Sequence, residues 1–460
     1  MTRISVREWH LRPVLAAASI LSVLAADDAH AAPSLEGWAL MPAQTTAVGP
    51  TSGQFAITPA SAPYLPIVNG QPVQGFSAVL DGPRPGTYRV LPDNGFGAKD
   101  NSADTVLRMY AVRPDWKLWS GSRVVGSGTV SPVAFSGGRE LPGFDDDSFI
   151  ALRDPDHKLT FTIQADLDQY YGVATNPPVA PTIKAERLLT GADLDIEAVR
   201  ADKRGHLWFG DEFGPFLIET DKTGKVLRAE IQLPNARPAG STATGAYVQS
   251  PQNPFLAGAS PNLGRSSGFE GLALNASRTK LYPLLEGTVV GDPARSLRIS
   301  EYDLKQQAYS GLTALYRLEP QGTNIGDFTA VNDHQFLVIE RNGGTGTSGT
   351  PYKHIFLIDL DRVSADGSVA KIDLVDLMNL VDTHDLNGDG QTIFTFPYVT
   401  IESVLILDPR TLLVINDNNF PGGGGRSAAP DQTEFLQIKL DQPLDLRAQP
   451  ARGLAEDEHD

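Results

Sequence analysis

A short apolar strand with a polar residue set inside it, followed after a turn by a second strand that closes on an acid, occurs five times along this chain. Ser77 precedes Asp93 in the first copy, and Glu197 precedes Asp211 and Glu212 in the second. Glu270 precedes Glu286, Asp327 precedes Glu340, and Glu402 precedes Asp417 and Asn418. Runs of four to seven residues rich in β-branched and aromatic types, bounded by Gly, Asp and Pro, are strand-and-turn signals. A carboxylate inside such a strand is costly to bury unpaired, by several kcal/mol. It must therefore face a water-filled channel or a cation. Imperfect repetition of a several-stranded unit at spacings of some tens of residues is the signature of a β-propeller. The expected fold is all-β, a single-domain β-propeller of about five to seven blades. A β-sandwich with coincidental acids is the competing reading, and five matches to one pattern argue against it.

The flanking sequence fits an exported protein. Arg3, Arg7 and Arg12 precede a small apolar core, and Ala29-His30-Ala31 has the form of a cleavage site, so residues 1–31 read as a secretion signal. The expected location is periplasmic or extracellular. No run approaches the roughly 20 apolar residues of a membrane span. The chain has no cysteine, so a large apolar core has to hold the fold without disulfides. A formal charge of −17 without a Lys/Arg cluster makes the chain a poor candidate for binding nucleic acid or anionic membranes and a good one for divalent cations. Residues 32–70 read as an extended lead-in able to add an outer strand, 32–445 as the propeller, and 446–460 as an acidic tail. Residues 144–181 read as a link between repeats able to include a lid over one face, and 234–265 as a long non-periodic loop of the kind that is functional or disordered.

In a propeller, equivalent positions of the innermost strands converge on the central channel. Glu197, Glu270, Asp327 and Glu402, with Ser77, are expected there. Asp93, Asp211, Glu212, Glu286, Glu340, Asp417 and Asn418 are expected near the same mouth. Several carboxylates on one polar channel either take up protons or admit cations. Hard oxygen donors at this density suit Ca2+. A second Ca2+ candidate is local: Asp385, Asn387 and Asp389 alternate before Gly390 as in the start of an EF-hand loop. Its twelfth position, however, is Phe396 where that loop needs Glu. The competing reading is a polar turn.

Several runs resemble the bacterial phytase-like family described by "esterase-like activity of phytase". They are Leu188 to Glu197, Leu207 to Phe216, Gln249 to Pro254, Ser267 to Gly271, Val338 to Arg341, Phe394 to Pro397, Asn416 to Pro421 and Asp431 to Leu436. The resemblance implies ester or phosphoester hydrolysis on a propeller. The expected partner is a small-molecule ester or phosphoester, and the expected state of the chain is a monomer. Glu270 and Glu197 are then the candidate catalytic carboxylates, assisted by Ca2+. Arg341 and Arg426, with Lys353 third, are the candidate substrate-binding residues. The chain departs from the established propeller phytases in lacking an Asp-Asp-Pro-Ala pattern. Covalent routes are poor. Ser266 fits Gly-x-Ser-x-Gly but lacks the strand-to-helix setting the motif needs. Gly422 to Gly425 lacks the Lys-Ser/Thr of a phosphate loop. His206, His354 and His384 have no ligand spacing and read as surface or structural residues. A non-catalytic propeller binding a ligand or envelope partner, and a lactonase-type hydrolase, are the alternatives.

Overall fold

A computed structural model describes residues 32–428 and 430–447. The segments expected as secretion signal and, for the most part, as acidic tail lie outside the described residues. Five four-stranded antiparallel units carry the fold. Their innermost strands are Phe76–Asp81, Ile196–Ala201, Phe269–Leu274, Asn324–Ala330 and Thr400–Asp408. Each pairs antiparallel with the strand that follows it: Tyr88–Pro92, Leu207–Asp211, Lys280–Leu285, Gln335–Arg341 and Thr411–Asp417. The inner strands pack in a closed cycle, first on second, second on third, third on fourth, fourth on fifth and fifth back on first. This is a five-bladed propeller.

Closure uses the lead-in. Ser34–Met41 pairs antiparallel with Thr433–Lys439 as the outermost strand of the fifth blade. A parallel bridge from Leu40 to Thr129 ties it to Thr129–Pro132, the outer strand of the first blade. The first and last blades are thus one hydrogen-bonded sheet.

The inner strands are buried along most of their length, which is why they read as continuous apolar runs rather than as an alternation. Neighbouring blades bury aromatic and branched side chains between them. Phe328, Phe336, Tyr282 and Ile299 form one such layer between the third and fourth blades. Each fully buried Leu, Ile or Phe contributes roughly 1.5–3 kcal/mol, and with no cysteine to cross-link it the fold rests on these layers. Among the described residues no helix is long and apolar enough to cross a membrane.

Every inner strand carries a register shift at the same place, between Phe76 and Ala78, Ile196 and Ala198, Phe269 and Gly271, Ile325 and Asp327, and Ile401 and Ser403. The bulged residues are Ser77, Glu197, Glu270, Gly326 and Glu402. A bulge re-aims its side chain out of the pleat, here at the channel end of each blade. The fourth blade corrects the expected equivalence: Gly326, not Asp327, holds the bulge. A Cβ at Gly326 would lie 1.9 Å from the Ile401 carbonyl oxygen of the next blade, so no side chain fits.

Candidate functional site

The bulges place Glu197, Glu270 and Glu402 on one ring, with Ser77 in the first blade. The second strands build a ring beside it. By register, Pro92, Asp211, Leu285, Glu340 and Asn416 face the residues before the bulges. The next residue in each blade points the opposite way. Those residues are Asp93, Glu212, Glu286, Arg341 and Asp417. Asp195, two residues before Glu197, joins them. Close backbone contact seats the ring: a Cβ at Gly268 would lie 2.4 Å from the Glu212 Cα. At Gly75 it would meet Asp417 Oδ1 at 3.2 Å and Asp93 Oδ1 at 3.3 Å.

Eight carboxylates therefore surround one mouth, all buried except Asp93, which is partly exposed. Arg341 is the guanidinium among them. Its Nη2 donates to Glu402 Oε1 at 2.8 Å, and to Glu270 Oε1 and Glu286 Oε1 at 3.2 Å each. Ser77 Oγ donates to Glu402 Oε2 at 3.2 Å. Asp417 accepts from the Asn419 amide at 2.7 Å and from Thr400 Oγ1 at 3.1 Å. Asp93 Oδ1 accepts from the Gly95 amide at 2.8 Å. Two oxygens differ: Asp195 Oδ1 and Glu212 Oε1 are buried with no hydrogen-bond partner. Ligand atoms of Asp195, Glu197 and Glu212 lie within 4.8 Å of one another, as do those of Glu212, Glu270 and Glu286.

Burial is the leading cause that raises the proton affinity of these acids, and the charge of their neighbours adds to it in most of them. Asp93, Glu197, Glu212 and Glu270 are pushed well above the ordinary carboxylate range by burial first. Burial pushes Glu402 up to about 8 against the opposing pull of Arg341, and Asp195 up to about 6. Burial also raises Glu286 and Asp417. An all-oxygen donor set with orphaned buried oxygens fits a hard divalent cation such as Ca2+.

The other expected site residues lie elsewhere. Asp211 turns onto the backbone, accepting from the Asp195 amide at 2.8 Å and the Gly214 amide at 2.7 Å, and so fixes the loop carrying Glu212. Glu340 points away from Arg341 and accepts from Tyr316 Oη and the Glu319 amide at 2.6 Å and from Lys371 Nζ at 2.8 Å. Asp327 pairs with Arg200 Nη2 at 2.9 Å. That bridge joins the second and fourth blades, which are not neighbours, and so spans the channel further along the inner strands. Arg426 is held by Glu434 at 2.6 and 2.7 Å over the rings of Phe394 and Tyr398. Lys353 Nζ donates to the Val399 carbonyl at 2.9 Å and to that of Asn342, and burial pulls it down to about 7. Of the three basic candidates, Arg341 reaches the ring. Asp385, Asn387 and Asp389 sit in a turn that bonds to itself: Asp385 Oδ1 accepts from the Gly390 amide at 3.0 Å, and Asn387 Nδ2 donates to Asp389 Oδ2 at 2.9 Å.

Two residues escape a reading by repeats. Asp195 precedes the strand, and the signal for it is its spacing of two from Glu197, which puts both on one side of an extended chain. Lys99 lies in the polar loop between the second strand of the first blade, Tyr88–Pro92, and its third, Arg108–Asp115, its Nζ 5.0 Å from the Tyr171 ring and 5.9 Å from the Phe213 ring. It forms no ion pair with the described residues. Its neighbour Phe213 adjoins Glu212, and Tyr171 comes from the long segment read as able to include a lid.

A secreted protein from Arthroderma benhamiae, itself uncharacterized, is 30% identical over 250 residues, covering 43% of this chain and 48% of that protein. The chain thus spans about half the length of that curated relative. Among solved structures, a calcium-binding regucalcin from Agrobacterium tumefaciens aligns with a TM-score of 0.34 at 12% identity, over 86% of this chain and 98% of that one. An exo-β-1,3-galactanase from Phanerochaete chrysosporium aligns with a TM-score of 0.34 at 10% identity, over 90% and 65%. A family model described as "Phytase-like: Esterase-like activity of phytase" matches residues 71–420, a span that contains all eight ring carboxylates and Arg341. The chain belongs to the phytase-like family.

Proposed function

We propose that this protein is an exported hydrolase of phosphoesters or other esters, assisted by Ca2+ at the acid ring. The observation that carries the reading is the buried ring itself, eight carboxylates against one guanidinium, with oxygens of Asp195 and Glu212 unpartnered. A bound divalent cation supplies Lewis-acid polarisation of the ester oxygen and lowers the pKa of a water. The chain does the rest. Arg341 locks Glu270, Glu286 and Glu402 in place. Glu270 and Glu197 are the candidate general bases: both stand in the ring, and burial raises their affinity for a proton. Lys99, held over two aromatic faces at the rim, is the residue offered to an anionic substrate, in place of the engaged Arg426 and Lys353. Export rests on the N-terminal signal pattern, and the secreted fungal relative accords with it.

A binding propeller is the second reading, favoured by the Arg200–Asp327 bridge across the channel. Hydrolysis of p-nitrophenyl phosphate, bis-p-nitrophenyl phosphate, p-nitrophenyl acetate and phytate, with Ca2+, with EGTA and with Glu270→Gln, separates the two. The hydrolase reading expects turnover that needs Ca2+ and falls at least about a hundredfold in the variant. Absence of turnover on all four substrates would leave the binding propeller.

A further inference from the structure

The ring is not evenly charged. Four blades place an acid at the position after the second-strand pair, Asp93, Glu212, Glu286 and Asp417, and the fourth blade places Arg341 there. The guanidinium hydrogen-bonds Glu270, Glu286 and Glu402, on the blades to either side of its own. It makes no hydrogen bond to Asp195, Glu197 or Glu212, on the second blade.

We infer that the ring is a mononuclear divalent-cation site, its ion held by Asp195, Glu197 and Glu212, and that Arg341 occupies the place of a second ion. Three observations carry this. The ligand oxygens of that trio lie within 4.8 Å of one another, and the three residues are buried. Oxygens on one coordination sphere are separated by at most twice the metal–oxygen distance, about 4.6–5.2 Å for Ca2+. Asp195 Oδ1 and Glu212 Oε1, at 3% and 4% residue exposure, have no hydrogen-bond partner, which leaves two buried acceptor atoms open to an ion. The second trio, Glu212, Glu270 and Glu286, has comparable spacing, but Arg341 already binds two of its three members. A guanidinium and a divalent ion a few Å apart on the same carboxylates repel each other strongly in so buried a place. The two therefore exclude one another, and the chain's own cation fills that half.

The inference rests on the cation-binding part of the reading above and not on hydrolysis. The test is a calorimetric Ca2+ titration of the EGTA-stripped full chain, with folding followed by circular dichroism. The expected count of ring ions is one, defined as the Ca2+ lost in Glu212→Gln. Arg341→Met is expected to raise the Glu212-dependent count to two, and Arg341→Lys to keep it at one. Asp195→Asn is expected to weaken the wild-type ion by at least about tenfold, while Glu286→Gln leaves it within about twofold. That second pair decides the question if Arg341→Met fails to fold. A wild-type count of zero or two would overturn the inference. So would a folded Arg341→Met that gains no ion, or Glu286→Gln weakening binding as much as Asp195→Asn. If the ion binds as stated and no ester is turned over, the hydrolase reading falls and this one stands.

Discussion

Arg341 and Lys99 show what decides a basic residue's role here. Both lie in motif-bearing or Gly-rich stretches, but Arg341 is buried on three glutamates, whereas Lys99 is half-buried over Tyr171 and Phe213 with no ion-pair partner among the described residues. Asp193 and Asp211 act on Lys99 only through space, and a held cation without a direct ion pair is suited to a ligand anion. Steady-state kinetics of Lys99→Met should show KM for p-nitrophenyl phosphate raised about tenfold. kcat should stay near wild type, and p-nitrophenyl acetate, which carries no charge, should be unaffected. Equal losses on both substrates would remove Lys99 from anion binding. Most ring acids were legible one by one, because a carboxylate in an apolar strand is conspicuous. Asp195 was not, since it stands outside the strand and reads as an ordinary turn acid. Arg426 and Lys353 looked like anion contacts because the sequence cannot show Glu434 or the Val399 carbonyl waiting beside them.

At the scale of elements, the repeated inner and second strands are readable because burial on both faces leaves little besides apolar residues and the functional acid. The outer strands are not, being short or half-exposed, as in Ile231–Gln232 and Ala308–Arg317. Register is the harder limit. A bulge shifts the pleat by one residue, so Asp327 and Gly326 exchange roles without any change in composition. Gly326 is fixed by space, not by backbone freedom, because the Ile401 carbonyl fills the position of its Cβ. Gly326→Ala should therefore separate the fourth and fifth inner strands and lower stability by about 1–3 kcal/mol. Urea unfolding checks this, and a midpoint equal to wild type would contradict the packing described.

For the whole molecule, five blades closed by an N-terminal strand bring to one mouth acids that are up to about 320 residues apart in sequence, from Asp93 to Asp417. That convergence is a property of the fold and could be anticipated only once the repeat was taken for a propeller. It also sets a cost. A carboxyl whose folded pKa is raised binds its proton more tightly in the folded chain than in the unfolded one. The stability this gives is full at low pH and is lost as pH rises, for Glu402 between its ordinary 4.5 and about 8. A cation bound by the folded ring offsets that loss. The most direct measurement is thermal melting of the full chain at pH 5 and pH 8, with EGTA and with Ca2+, for wild type and Glu212→Gln. With EGTA the melting temperature is expected to fall from pH 5 to pH 8. Ca2+ is expected to restore it mainly at pH 8, by several degrees, and Glu212→Gln to lose most of that gain. Melting indifferent to Ca2+ at both pH values, or a gain that survives Glu212→Gln intact, would contradict a cation held by the acid ring.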